Sequence, residues 1–347
     1  MKRPYIQSLL AAWILILLFN ACSSEGERKS STIRFFKKGK MALEKKEFKK
    51  AKNFFSEAIR EDSTFKEAFN NRGIAKFETQ DYSGAIEDYN QALTLDSSFT
   101  DALYNRANAH FELGHYTDAL QDLNTVLKAY PDSAYVYMNR GTVFIQLQQN
   151  DRALKDFNKV LELKPLNTEA FINKGSAYYH MQQWDSAEIF FKKALEQNPM
   201  QDFALNNMGL LKMRQKDFQL AFDYLSKAVN IKPAHPYYLN NLAFVKIKLD
   251  QLEEAKKDLE TSLFYLKNNS WTYRNLGIYY LKKGEVQMAL QQFEKALALT
   301  PNAEQIYYYK GLAHKQLTQN KEACESWEQG LQNGDIECEQ MLNENCH

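Results

Sequence analysis

Large apolar residues recur along the chain at intervals of three and four, the stripe of an amphipathic helix. The stripes come in pairs separated by a few polar residues. The pairing repeats at a fixed step of 34 residues. Stepping from Gly39 reaches Gly73, Ala107, Gly141, Gly175, Gly209, Ala243, Gly277 and Gly311. Stepping from Ala51 reaches Ala85, Ala119, Ala153, Ala187, Ala221, Ala255, Ala289 and Ala323. No insertion breaks the frame. Counting each unit from Thr32 puts Gly or Ala at position 8 and Ala at position 20. Large residues stand at position 4 (Phe35, Phe69, Leu103, Tyr137 and onward to Tyr307) and at position 24 (Phe55, Tyr89, Leu123, Phe157 and onward to Trp327). Positions 4, 8 and 11 share one helical stripe, and 20, 24 and 27 another. Small residues let two helices approach, and the large ones fill the space beside them. Pro131, Pro165, Pro199, Pro233 and Pro301 recur at position 32, where the second helix must stop.

This spacing resembles the tetratricopeptide repeat, which carries a large residue at 4, Gly or Ala at 8, Tyr at 11, Ala at 20, Phe or Tyr at 24, Ala at 27 and Pro at 32. Nine units, starting at residues 32, 66, 100, 134, 168, 202, 236, 270 and 304, cover 32–337. The seventh departs most, with Ser262 at position 27 and Lys267 at 32. The resemblance implies an all-α fold, a right-handed superhelical solenoid of antiparallel helix pairs. The first helix of each pair would line a concave groove. Residues 338–347 read as a capping helix, because Cys338, Met341, Leu342 and Cys346 share a stripe opposite Glu339, Asn343 and Glu344.

The first residues follow another pattern. Lys2 and Arg3 precede a wholly apolar run from Leu9 to Phe19, which ends in Asn20-Ala21-Cys22. That run is too short to span a bilayer, which takes about twenty residues. A charged start, a short apolar run and Ala before Cys resemble a bacterial lipoprotein signal, in which the Cys is lipidated and becomes the first mature residue. Residues 1–21 are the expected signal, Cys22 the expected lipidation site and 22–31 a polar tether. Phe19 and Asn20 fit the pattern loosely, and an ordinary secretory signal with an incidental Cys, or an uncleaved anchor, is the competing reading. The expected location is the outer membrane, facing the periplasm.

Composition narrows the function. Lys plus Arg number 44 and Asp plus Glu 43, so no basic surplus points to nucleic acid. No Gly-rich phosphate loop, nucleophile elbow or His-Glu-x-x-His motif occurs, and the six His are scattered, with His110 and His314 at core position 11. The expectation is a protein- or peptide-binding scaffold that is not an enzyme and uses no cofactor. The oligomeric state is left open.

The candidate groove follows from helical geometry. Position 6 lies about 200° round the helix from core position 4. It is Asn71, Asn105, Asn139, Asn173, Asn207, Asn241 and Asn275 in seven consecutive units. An amide both donates and accepts, so this column either grips the backbone of an extended peptide or bonds a neighbouring helix. Positions 2, 5, 9 and 13 complete the expected face. They supply Phe203, Leu210, Tyr237, Phe244, Trp271 and Ile278, an apolar and aromatic patch. Position 13 changes from Glu44, Glu78 and Glu112 to Arg214, Lys248 and Lys282. Three of the cysteines fall near the C-terminus. Cys324 and Cys346 would sit at similar heights in a hairpin turning at Gly334, which favours a disulfide there. Free thiols, a Cys338 pairing, or zinc held by the three Cys and His347 are the alternatives.

Overall fold

The computed structural model describes residues 29–303 and 305–346, and their regular structure is entirely helical. Cys22 and residues 1–21 lie outside the described residues. Helix α1 spans 29–44, so 29–31, read from sequence as tether, continue the first helix. The next helices are α2 (Phe48–Glu61), α3 (Lys66–Phe77), α4 (Tyr82–Leu95), α5 (Thr100–Glu112), α6 (Tyr116–Ala129), α7 (Ala134–Gln146), α8 (Asn150–Leu163) and α9 (Thr168–His180). They are followed by α10 (Trp184–Gln197), α11 (Asp202–Arg214), α12 (Phe218–Ile231), α13 (Pro236–Lys248), α14 (Leu252–Tyr265) and α15 (Ser270–Lys283). The last are α16 (Val286–Leu299), α17 (Ile306–Gln316), α18 (Asn320–Gln332) and α19 (Glu337–Asn345). No described helix is long and apolar enough to cross a membrane. The chain divides into two compact units, Met1–Ala170 and Phe171–His347.

Both units are built alike. Odd and even helices pair as antiparallel hairpins: α3 with α4, α5 with α6 and α7 with α8 in the first unit, and α11 with α12 through α17 with α18 in the second. Even helices also pack on the next odd one, α2 through α6 on α3 through α7 in the first unit and α10 through α18 on α11 through α19 in the second. Odd helices touch one another directly (α3–α5 and α5–α7; α11–α13, α13–α15 and α15–α17), whereas even helices do not among the described residues. The odd-helix side of each unit is therefore its inner side. This arrangement is a solenoid of paired helices, and α19 closes its end by packing on α18 and α17.

The columns read from the sequence explain how the hairpins close. The nine Ala of position 20 are at most 1 % exposed. Position 8 faces position 24 across each hairpin. A Cβ built on Gly73 would lie 2.5 Å from the Tyr89 ring, and one on Gly141 2.5 Å from the Phe157 ring. Glycine is thus needed for close approach to an aromatic ring. Where position 8 is Ala, at Ala107 and Ala243, position 24 is Leu123 or Leu259, a narrower partner, and both are buried.

Two features were not read from the sequence. Every odd-to-even turn holds a residue in the left-handed conformation at the same position: Lys46, Gln80, Gly114, Gln148, Gln182, Lys216, Asp250, Gly284 and Thr318, with φ from 57° to 78°. Two backbone bonds fix each turn, as in His115 N–H to His110 O (2.8 Å) and Gly114 N–H to Phe111 O (2.9 Å). This is the Schellman ending of a helix, and only two of the nine residues are the glycine it favours. The first unit also carries a repeated ion pair. Arg72, Arg106 and Arg140 bind Asp88, Asp122 and Asp156 through two guanidinium nitrogens each, at 2.7–2.9 Å. A third nitrogen reaches Ser56, Asn90 or Asn124 on the preceding even helix. Each Arg therefore ties its own hairpin to the one before it. At the other end of the chain, Cys324 and Cys346 form a disulfide with Cα atoms 5.8 Å apart, and Cys338 is a buried free thiol.

Candidate peptide-binding cleft

The inner side of the second unit opens into a cleft of about 720 Å³. Its walls come from successive odd helices at the positions that the repeat turns inward. Asn206, Leu210 and Arg214 come from α11, and Tyr237, Asn240, Asn241, Phe244 and Lys248 from α13. Trp271 and Arg274 come from α15, Tyr308 and Tyr309 from α17, and Glu337 from α19. Four cations, Arg214, Lys216, Lys248 and Arg274, line it, against one carboxylate among the described lining residues, Glu337.

The cations are held over rings. The Arg274 guanidinium lies 4.7 Å from the Trp271 ring centre and 5.5 Å from that of Phe244. The Lys248 ammonium lies 5.2 Å from Phe244 and 5.4 Å from Tyr309, and it donates to the Tyr309 hydroxyl at 3.0 Å. Arg214 Nε donates to the Tyr179 hydroxyl at 3.2 Å. Such contacts orient positive charge over apolar surface while leaving part of each cation facing the cleft. Burial pushes the Tyr308 phenol up, so its hydroxyl keeps its proton and stays a donor. A surface of this kind accepts an aromatic or aliphatic side chain next to a carboxylate.

The structure brings together only part of the expected face. Tyr237, Phe244, Trp271 and Asn241 meet in the cleft. Phe203 is half exposed but does not line it; its ring stands edge-on to Tyr238 at 6.2 Å, with Lys232 above it at 5.0 Å. Ile278 is buried in the core of the second unit, and Lys282 is tied to Ile247 O and Asp250.

The Asn column turns out to bond its neighbours. Asn105 donates to Asn70 Oδ1 (3.0 Å), and Asn139 to Asn108 Oδ1 (2.7 Å) and the Tyr104 hydroxyl (3.0 Å). Asn207 donates to Ser176 Oγ (3.3 Å) and Asn241 to Asn206 Oδ1 (3.0 Å). Asn71 donates to Glu67 O within its own helix, and Asn173 is half-buried on α9. Asn275 is a correction to the expected face. It is fully buried, donates to Asn240 Oδ1 at 2.9 Å and accepts from Arg274 Nε at 3.1 Å, so it is not open to a ligand. Arg274, Tyr308, Tyr309 and Glu337 were missed. Their one sequence signal is the end of the Asn column at Tyr309.

Tetratricopeptide-repeat models match residues 75–114, 104–167, 138–202, 204–235 and 270–303, together more than half of the chain. This chain is a tetratricopeptide-repeat protein. The fold is likewise shared with solved structures. One is the APC/C hetero-tetramer Cut9–Hcn1, at 15 % identity and a TM-score of 0.63, covering 90 % of this chain and 76 % of that one. Another is a tetratricopeptide repeat protein from Parabacteroides merdae, at 20 % identity and a TM-score of 0.58, covering 72 % and 98 %. A third is Pseudomonas aeruginosa PilF, at 20 % identity and a TM-score of 0.51, covering 61 % and 96 %. No curated protein sequence matches this chain. A tetratricopeptide solenoid is a scaffold for contact between proteins, not a catalytic fold, and this tetratricopeptide-repeat protein is not an enzyme.

Proposed function

We propose that this protein is a membrane-tethered adaptor that holds an extended segment of a partner protein in the cleft of its second unit. One observation carries the reading: Tyr237, Phe244 and Trp271 line a cleft whose described charges are predominantly positive. The segment that fits presents an apolar or aromatic side chain flanked by Asp or Glu. The side-chain anchors supply most of the affinity, because the Asn amides are already bonded to neighbouring helices. Support for the tether comes from the sequence, in Lys2, Arg3, the apolar run and Ala21-Cys22. The signal reading also supports an outer-membrane position facing the periplasm.

A second reading draws on the outer helices, where Phe264 on α14 is 77 % exposed and Ile189 on α10 is 52 % exposed. There the protein would be a structural subunit of an envelope complex, docking by its outer face. The two readings separate on one experiment. Partners are captured from native membranes by the full chain, and their affinity is measured for Trp271→Ala, Lys248→Glu and Phe264→Ala. The cleft reading expects Trp271→Ala to weaken binding by about thirtyfold, as loss of a buried aromatic anchor typically does. It expects a comparable loss for Lys248→Glu and little change for Phe264→Ala. Normal binding by both cleft variants together with loss in Phe264→Ala would replace it with the docking reading.

A further inference from the structure

The turn between α5 and α6 brings three metal-ligating side chains together. His110 is in the last turn of α5, His115 is the capping residue just before α6, and Asp118 is in the first turn of α6. One ligand atom from each lies within 4.8 Å of the others. The backbone causes the convergence. His115 N–H bonds to His110 O at 2.8 Å, and Gly114, left-handed at φ 74°, reverses the chain between them. His115 and Asp118 are then three residues apart on one face of α6.

His115 makes no side-chain bond to cap its helix. The Nδ1 of His110 is buried without a hydrogen-bond partner, a condition that ordinarily costs stability. The same two turn positions in the α17–α18 hairpin are His314 and Gln319, and there Nδ1 and Oε1 are hydrogen-bonded at 2.8 Å. The turn therefore holds side chains at these positions within bonding reach. The α5–α6 hairpin puts His at both and adds a carboxylate.

We propose that His110, His115 and Asp118 bind a divalent transition-metal ion of the zinc class. Two imidazoles and a carboxylate are a donor set that Zn²⁺ accepts, with bond lengths of about 2.0–2.2 Å. Donors within 4.8 Å of one another reach that geometry by small side-chain rotations. His115 and Asp118 are exposed, so the fourth position faces solvent and takes water or a donor from a partner protein. Asp122 adds negative charge nearby, and Arg106, which is bound to Asp122, opposes it. The site lies in the first unit and does not depend on the cleft.

The test is titration of the metal-free full chain, without an affinity tag, with Zn²⁺ by calorimetry, and with Co²⁺ to read the coordination from its visible absorption. His115→Ala and Asp118→Asn are the variants of choice, because both residues are exposed and their replacement leaves the packing intact; circular dichroism confirms the fold. His314→Ala is the control for scattered histidines. The expected result is one equivalent of Zn²⁺ bound with an intense low-symmetry Co²⁺ spectrum. Each of the two variants should weaken binding by at least about tenfold, since even residues that only support a metal ligand cost about that much, and His314→Ala should bind as the unaltered chain does. Absence of stoichiometric binding, or unaltered binding by either His115→Ala or Asp118→Asn, overturns the proposal.

Discussion

At the scale of single residues, the left-handed turn column shows a backbone demand that side chains meet unevenly. The nine turns have the same bonds, yet only Gly114 and Gly284 are free of the steric penalty that L-residues meet there. A Cβ added at either glycine would meet nothing within 4 Å, so the penalty lies in the backbone and not in packing. It should be greatest at Thr318, because its β-branch fits the left-handed region worst. Thr318 is exposed, and its hydroxyl bonds to the adjacent Leu317 carbonyl. Thr318→Gly should therefore stabilise the protein by about 1 kcal/mol, strain relief exceeding the entropy that glycine adds to the unfolded chain. Gln148→Gly should gain less. Denaturant midpoints at constant slope check both, and a lower midpoint for Thr318→Gly would show that the turn is not strained. These turns were illegible in the sequence because the bonds from residues 115 and 114 to 110 and 111, and their equivalents, are made by backbone atoms that every residue carries.

At the scale of the helix, the columns at positions 8, 20 and 24 were readable because packing enforces them in every hairpin. The pairing of sizes makes a prediction. Gly141→Ala would drive a methyl into the fully buried Phe157 ring. Overpacking of this kind costs about 1–3 kcal/mol, offset by about 1 kcal/mol of helix propensity. Phe157→Leu alone leaves a gap. The double variant recreates the Ala107 and Leu123 pairing of the preceding hairpin and should be more stable than the sum of the single losses by about 1 kcal/mol. A double-mutant cycle on thermal or chemical unfolding measures this coupling, and additive losses would mean that the two columns do not compensate. The Asn column shows the limit of such reading. Counting residues identified the face of the helix, but not how close the next odd helix stands. That distance decides whether an amide meets water or a neighbour, and for Asn275 it is the neighbour. The cleft was half legible for a related reason: Tyr237, Phe244 and Trp271 follow the repeat, whereas Tyr308, Tyr309 and Glu337 close it from the last hairpin and the capping helix, where the repeat changes.

For the whole molecule, the reading of the first residues makes the sharpest claim about where the protein works. If Cys22 carries lipid, Cys22→Ala should move the chain from the membrane fraction to the soluble one, and the unaltered protein should incorporate a labelled acyl chain. A variant that still sediments with membranes, beside an unaltered chain without label, would remove the tether from the proposal. The other end of the chain has a mechanical consequence. A solenoid whose elements touch only near neighbours comes apart most easily by peeling from an end. Tension applied to the chain beyond Cys346 does not pull on α19, because the Cys324–Cys346 bond passes the load directly to the second turn of α18. The capping helix hangs in an unloaded loop. Force that would unzip an open chain one helix at a time must instead shear α18 out from between α17 and α19, a stiffer mode of failure.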